Sequence, residues 1–95
     1  MPVLDPVRVE QPRLGGGPGS AFSAQVIVLN DDHNTFEHVI VTFCRVLPSM
    51  TPPKAEKHAW TIHTLGRATV WSGNREAAEL YVEQLTGAGL RAELD

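Results

Sequence analysis

A glycine- and proline-rich run over residues 15–20, Gly-Gly-Gly-Pro-Gly-Ser, most limits where this chain of 95 residues can fold. Such a run holds neither a helix nor a strand, and further prolines precede it. We therefore expect a flexible N-terminal extension over residues 1–24, which is either dispensable or engages a partner. Residues 25–95 then form the one folded domain, and about 70 residues suffice for a core of modest stability.

Composition excludes several classes of protein. Lys and Arg number 8 against 11 Asp and Glu, a net charge of −3, which argues against binding a nucleic-acid backbone. No apolar run approaches the roughly 20 residues of a membrane span, and residues 1–5 lack the order of a secretory signal. Cys44 is the single cysteine, which excludes an intrachain disulfide and a Cys-rich zinc site. We expect a cytoplasmic protein that contacts neither membranes nor nucleic acid.

The first strand and helix of the domain follow from apolar periodicity. Residues 25–29 (Gln-Val-Ile-Val-Leu) are typical of a buried strand. A helix follows a polar loop, with Asn34 or Thr35 as its N-cap, and Pro48 ends it. Its apolar residues recur at helical spacing and form one stripe: Phe36, Val39, Ile40, Phe43, Cys44 and Leu47.

A second helix is predicted over residues 52–65. Thr51 caps its start, proline takes the first helical position, and Gly66 caps its end. Its apolar stripe is weaker than that of the first helix. We place five residues on it: Ala55, Ala59, Trp60, Ile62 and Leu65.

The last third of the chain predicts a strand, a helix and a strand. Residues 67–71 form a strand, 72–74 a turn and helix cap, and 75–86 a helix. Alternating apolar residues over 90–94 then indicate a half-solvated strand. The order β-α-α-β-α-β predicts a two-layer α/β sandwich, with three helices on one face of a three-stranded antiparallel sheet.

The candidate site is the polar segment over residues 30–33, Asn-Asp-Asp-His, where a buried strand ends and a helix begins. Loops at such points often carry ligands. His63, near the end of the second helix, is placed to reach the same point. The alternative is structural, because Asn and Asp are ordinary loop and capping residues and a histidine on a helix face is often simply packed.

Three chemistries are open to these residues. A divalent metal could use Asp31, Asp32, His33 and His63, although no HxxxH or HxH spacing organises them. A hydrolase needs an activated nucleophile, and the chain has no GxSxG motif, while Cys44 lies within a helix stripe. We therefore do not expect an enzyme.

The third chemistry is binding of an ammonium group. An ammonium has three donors and no acceptor, which the oxygen of Asn30, an Asp carboxylate and a neutral nitrogen of His63 would match. Beside them, Phe36, Val39 and Ile62 could wall an apolar cavity. Together these groups would suit the first residue of a peptide.

The same residues resemble a known family. The segment from Val26 to Ile40, Val-Ile-Val-Leu-Asn-Asp-Asp-His-Asn-Thr-Phe-Glu-His-Val-Ile, is similar to the opening of ClpS, the adaptor of the Clp protease. The likeness continues through residues 62–68 (Ile-His-Thr-Leu-Gly-Arg-Ala) to Leu90, and so covers residues 25–95. The segments 68–73 and 77–81 resemble the cyanobacterial and plastid branch.

The resemblance implies a function without catalysis or a cofactor. ClpS-like adaptors bind proteins with a large hydrophobic N-terminal residue of the Leu or Phe type. They deliver these substrates to a Clp AAA+ unfoldase, of the ClpC or ClpA type, that works with ClpP. We expect this chain to act as a monomer in that role.

The resemblance also assigns site residues. Asn30 and His63 would bond the α-amino group, and Asp31 and Asp32 belong to the same recognition loop. Glu76 would belong to the unfoldase interface, although a carboxylate there also suits the N-terminus of a helix. The pocket for the first side chain would be lined by Val28, Asn34, Phe36, Val39, Ala59, Ile62 and Leu90.

Some positions depart from the family pattern. Many members carry Met where this chain has Phe36 and Ala59, which alters the shape of the pocket. Thr35 replaces a loop proline, and Tyr81 replaces a lysine of the docking helix. Two alternative functions follow: a regulator that binds the unfoldase without presenting substrates, and a small metal-binding protein.

Overall fold

The computed structural model describes residues 23–95. Three strands and three helices alternate as β-α-α-β-α-β, which confirms the predicted order. The elements are β1 (Ser23–Leu29), α1 (Phe36–Val46), α2 (Pro52–Leu65), β2 (Arg67–Asn74), α3 (Arg75–Gly87) and β3 (Arg91–Leu94).

The sheet has β1 at its centre, paired antiparallel with β2 on one side and β3 on the other. Val26 lies opposite Trp71 and Ile27 opposite Thr69, so Val70 is an extra residue that forms a bulge in β2. Leu29 ends β1 between Arg67 and Arg91. The three-stranded antiparallel sheet is as predicted.

The helices cover one face of this sheet. Helix α3 packs on all three strands, α2 packs on β2, and α1 lies against both other helices. Phe43 of α1 and Leu85 of α3 are completely buried, and burying such side chains contributes about 1.5–3 kcal/mol each. The core joins them to Val26 and Val28 of the central strand.

Local capping explains why the helices begin and end where they do. The side chains of Thr35, Thr51 and Asn74 each accept a hydrogen bond from a backbone N–H of the first turn that follows. Gly66 ends α2 with φ of 92°, a left-handed conformation that favours glycine. The predicted bounds of α2 are confirmed.

Two predicted strand boundaries shift by two residues or more. Strand β1 begins at Ser23, two residues before the predicted start of the domain, while the rest of the predicted extension lies outside the described residues. Strand β2 continues to Asn74, so the turn predicted over 72–74 is wrong, although Asn74 does cap α3. Gly73 is needed there because a Cβ would collide with the ring of Trp71.

Two side chains predicted on the apolar stripe of α2 are exposed instead. Trp60 retains 52% and Leu65 76% of its accessible surface. The core face of α2 consists of small or branched residues, Ala55, Ala59 and Ile62, so the larger side chains lie outside it. Within residues 23–95, no helix is long and apolar enough to cross a membrane.

Candidate functional site

A pocket opens where the ends of β1 and α2 meet the beginnings of α1 and β3. The space between its lining residues, counted together with the solvent at its open mouth, is about 380 Å³. Twelve residues form its lining: Val28, Leu29, Asn30, Asp31, Asn34, Phe36, Val39, Ala59, Ile62, His63, Leu90 and Arg91.

The interior of the pocket is apolar. Val28, Ala59, Ile62 and Leu90 are buried in its wall. All seven residues predicted to hold a hydrophobic side chain line this one pocket. The structure therefore brings together residues from β1, α1 and α2 and from the loops that precede α1 and β3.

The rim of the pocket carries the polar residues. Asn30, Asp31 and His63 all line it. The backbone N–H of Asn30 donates to the carbonyl of Gly66 at 2.9 Å, which fixes the end of β1 beside the end of α2. Asn30 and His63 therefore lie at the same opening although 33 positions separate them in the sequence.

Asp31 organises the loop that follows. One of its carboxylate oxygens accepts from the backbone N–H of His33 at 2.7 Å, and the other accepts from the Asn34 side chain at 3.3 Å. Both carboxylate oxygens thus have partners inside the loop. The Oδ1 atom of Asn30 accepts from the N–H of Asp31 at 3.0 Å, and a carbonyl oxygen has a second lone pair for another donor.

Two side chains hold the loop before β3 against α1. The amide nitrogen of Asn34 donates to the carbonyl of Gly89 at 2.9 Å. Nε2 of His38 donates to the carbonyl of Ala88 at 2.8 Å. These bonds position Leu90 in the pocket wall.

Three aromatic rings meet edge to face at one side of the pocket. The ring centroid of Phe36 lies 4.8 Å from that of Trp60 and 5.7 Å from that of His63. Trp60 and His63 are 5.9 Å apart. Edge-to-face contacts stabilise such groups, so this cluster stabilises the His63 ring beside the pocket.

Not every predicted residue joins the site. Asp32 and His33 are exposed and do not line the pocket. Over residues 23–95, no three His, Cys, Asp or Glu side chains are grouped as metal ligands. The arrangement therefore lacks the ligand cluster that the metal-binding alternative requires.

Three residues of the site were missed from the sequence. Leu29 and Arg91 line the pocket, and Trp60 contacts two lining residues. Trp60 precedes His63 by one helical turn, so the two side chains are neighbours on the helix surface. This spacing was the sequence signal that could have placed Trp60 at the site. Arg91 directly follows Leu90, which was predicted to line the pocket. Because side chains alternate along a strand, Arg91 was expected on the opposite face of the sheet.

Glu76 lies away from the pocket, exposed in the first turn of α3. Nearby, Arg75 and Glu79 approach to 3.6 Å on the exposed side of that helix. Tyr81 instead packs on Trp71, with ring centroids 4.9 Å apart. Tyr81, which replaces a lysine of the family pattern, is therefore engaged in packing.

The arrangement can bind a group that is cationic at one end and apolar at the other. Acceptors at the rim suit ammonium donors, and the interior suits a hydrocarbon or aromatic side chain. The free N-terminal residue of a protein combines both features.

Comparison with known proteins agrees with this geometry. The Clp protease adaptor ClpS of Thermosynechococcus vestitus is 50% identical over 66 residues, 70% of each chain. That of Nostoc sp. is 48% identical over 66 residues, 70% of this chain and 68% of its own. A chloroplastic adaptor of Chlamydomonas reinhardtii, CLPS2, is 31% identical over 78 residues, which cover 82% of this chain and 46% of its own.

A solved structure shares the fold. Agrobacterium tumefaciens ClpS2 bound to L-phenylalaninamide superposes with a TM-score of 0.74 at 26% identity, covering 78% of this chain and 95% of that one. The family model for the ATP-dependent Clp protease adaptor protein ClpS matches residues 21–93. This chain therefore belongs to the ClpS family of Clp protease adaptors.

Proposed function

We propose that this adaptor binds proteins whose first residue is large and hydrophobic, of the Leu or Phe type, and delivers them to a Clp AAA+ unfoldase for degradation by ClpP. The observation that supports this most is the meeting of Asn30, Asp31 and His63 at the mouth of an apolar pocket. The related ClpS2 of Agrobacterium tumefaciens, bound to L-phenylalaninamide, supports the same class of ligand.

The α-amino group is assigned to Asn30 and His63. An α-amine has a pKa of about 8 and is mostly charged at neutral pH, so enclosing it requires acceptors. The Oδ1 atom of Asn30 has a free lone pair, and a neutral His63 offers a ring nitrogen. Asp31 adds negative charge while holding the loop, and Asp32, which is exposed, adds charge without a direct contact.

The side chain of the first residue is assigned to the pocket interior. Ala59 contributes little bulk to one wall and Phe36 contributes a ring to another. Burying a Leu or Phe side chain there contributes about 1.5–3 kcal/mol. Micromolar affinity requires about 8 kcal/mol, so the amine and the next peptide group supply the larger share.

Docking on the unfoldase is assigned to the exposed start of α3 around Glu76. This surface lies on a different element from the pocket, so substrate and unfoldase can be bound together. Glu56, exposed on α2 and outside the pocket lining, offers a matched control. We expect Glu76→Ala to weaken unfoldase binding and Glu56→Ala to leave it unchanged.

We further propose that the adaptor domain begins with β1 at Ser23, two residues before the start that the sequence predicts, and that the residues before it act as an extension during delivery. The adaptor acts as a monomer, by binding rather than catalysis and without a cofactor, in the cytoplasm or the plastid stroma. Cys44 lies half-buried in α1 and outside the pocket lining, so it is not placed to attack a bound peptide.

The test is a titration of fluorescent peptides that differ only at residue one. Leu, Phe, Trp, Val and Arg peptides would be compared by anisotropy, and a Leu-initiated reporter protein would be degraded with the unfoldase and ClpP. We expect tight binding of Leu and Phe, poor binding of Arg, and faster degradation with the adaptor. If no peptide binds, the chain regulates the unfoldase without presenting substrates.

A further inference from the structure

Arg91 brings a positive charge to the mouth of a pocket that otherwise collects acceptors. It is the first residue of β3, directly after Leu90 in the pocket wall; the residue lies in the pocket lining and its side chain is exposed. Within residues 23–95, its side chain makes no ion pair or hydrogen bond. The two oxygens of Asp31 are already bonded within their own loop.

A second arginine provides a direct contrast. Arg67 lies opposite Leu29 on one side and Arg91 lies opposite Leu29 on the other. Arg67 is 3.9 Å from the carboxylate of Glu93 and does not line the pocket. The two arginines thus flank the same residue, but Arg91 alone of the two is unpaired and belongs to the pocket lining.

The charge of Arg91 opposes binding of an ammonium group, since like charges repel. Its guanidinium offers five donors in a fixed planar fork that matches a carboxylate. Once the first residue has its amine at the rim and its side chain inside, the second residue carries the first side chain left outside. Consecutive Cα atoms are only 3.8 Å apart, so that side chain emerges at the pocket mouth.

We propose that Arg91 reads the second residue of the substrate, favouring Asp or Glu and disfavouring Lys or Arg. This rests on the function proposed above and adds a second specificity position to it. An exposed ion pair of this kind changes affinity by about twofold to fivefold. Because the pair faces solvent, added salt weakens it.

The experiment compares peptides that begin Leu-Glu, Leu-Ser and Leu-Lys and are otherwise identical, using the full chain and fluorescence anisotropy. Arg91→Gln is tested beside Arg67→Gln, which removes the same charge away from the pocket. We expect the wild type and Arg67→Gln to bind Leu-Glu about twofold to fivefold more tightly than Leu-Lys. We expect Arg91→Gln to lose this preference, and about 0.5 M salt to reduce it in the wild type.

Equal affinities for Leu-Glu and Leu-Lys in the wild type would overturn the proposal, as would an equal effect of the two arginine substitutions. An acetylated Leu-Glu peptide separates the two levels of the account. If free Leu peptides bind, acetylated ones do not, and the second residue has no effect, only the role of Arg91 fails. If the acetylated peptide binds as tightly as the free one, the proposed function fails, and the role inferred for Arg91 fails as well.

Discussion

The side-chain amide of Asn34 donates a 2.9 Å hydrogen bond to the carbonyl oxygen of Gly89, a residue 55 positions further along the chain. The same amide donates to Asp31 at 3.3 Å. Asn34 thus connects the loop after β1 to the loop that carries Leu90 into the pocket. Gly89 has φ of 96° at this point, a conformation that favours glycine.

We expect Asn34→Ala to weaken peptide binding by disordering the pocket. Two hydrogen bonds are lost at about 1 kcal/mol each, so affinity for a Leu peptide falls about tenfold or more. Anisotropy titration measures the affinity, and circular dichroism shows whether the fold persists. A well-folded variant with wild-type affinity would show that this connection does not matter for binding.

The amine assignment predicts that Asn30→Ala and His63→Ala each reduce affinity for a Leu peptide by about tenfold to a hundredfold. Hydrogen bonds to a charged group contribute about 1.5–3 kcal/mol. Both side chains are exposed, so the thermal midpoint changes little. His33→Ala is the control, because His33 is exposed near the site but does not line the pocket.

Equal losses in His33→Ala and His63→Ala would contradict a specific role for His63.

How far the sequence predicts this fold depends on how local each signal is. Both ends of helix α2 are predicted correctly because their signals are local. Thr51 and the following proline begin the helix, and Gly66 ends it. The end of β2 is missed because Gly73 resembles a turn residue, whereas its role is to leave room for Trp71, two residues earlier in the strand.

The candidate site likewise contains residues that local signals predict and residues that the sequence misses. The recognition loop and His63 stand out by residue type, and the resemblance to ClpS supplies the pocket wall. Trp60 and Arg91 are missed because their placement depends on tertiary structure. A tryptophan at that spacing suits a core stripe, yet it lies exposed beside Phe36, and no local pattern places Arg91 at the pocket mouth.

Trp60 gives an intrinsic signal for ligand binding. Its indole is half exposed and contacts two residues of the pocket, whereas Trp71 packs against Tyr81 elsewhere. A peptide that covers the rim moves the indole of Trp60 out of water, so we expect a blue shift of tryptophan emission on adding a Leu peptide. The shift persists in Trp71→Phe and disappears in Trp60→Phe; the reverse pattern would place the peptide elsewhere.

His58 predicts how stability depends on pH. Burial lowers the pKa of His58 below its usual 6.5, and the charge of Lys57 lowers it further. Its ring also meets the buried ring of Phe43, with centroids 6.4 Å apart. The unfolded chain therefore binds a proton at His58 more readily than the folded chain does.

Acid should consequently destabilise the fold through His58. This destabilisation is absent well above pH 6.5 and grows as the pH falls from 6.5 through the lowered pKa of the folded state. Urea unfolding at a series of pH values measures the effect, and His58→Gln should flatten the decline. A wild type and a His58→Gln variant that lose stability in parallel would show that His58 does not titrate in this way.

The most direct test of the central claim is the affinity for one Leu-initiated peptide with a free N-terminus, compared with the same peptide after N-acetylation. Acetylation removes the charge and two donors while leaving the hydrophobic side chain in place. Because each bond to the amine contributes about 1.5–3 kcal/mol, we predict that acetylation weakens binding by about a hundredfold or more. Equal affinity for the two peptides would contradict recognition of the N-terminal amine by Asn30 and His63.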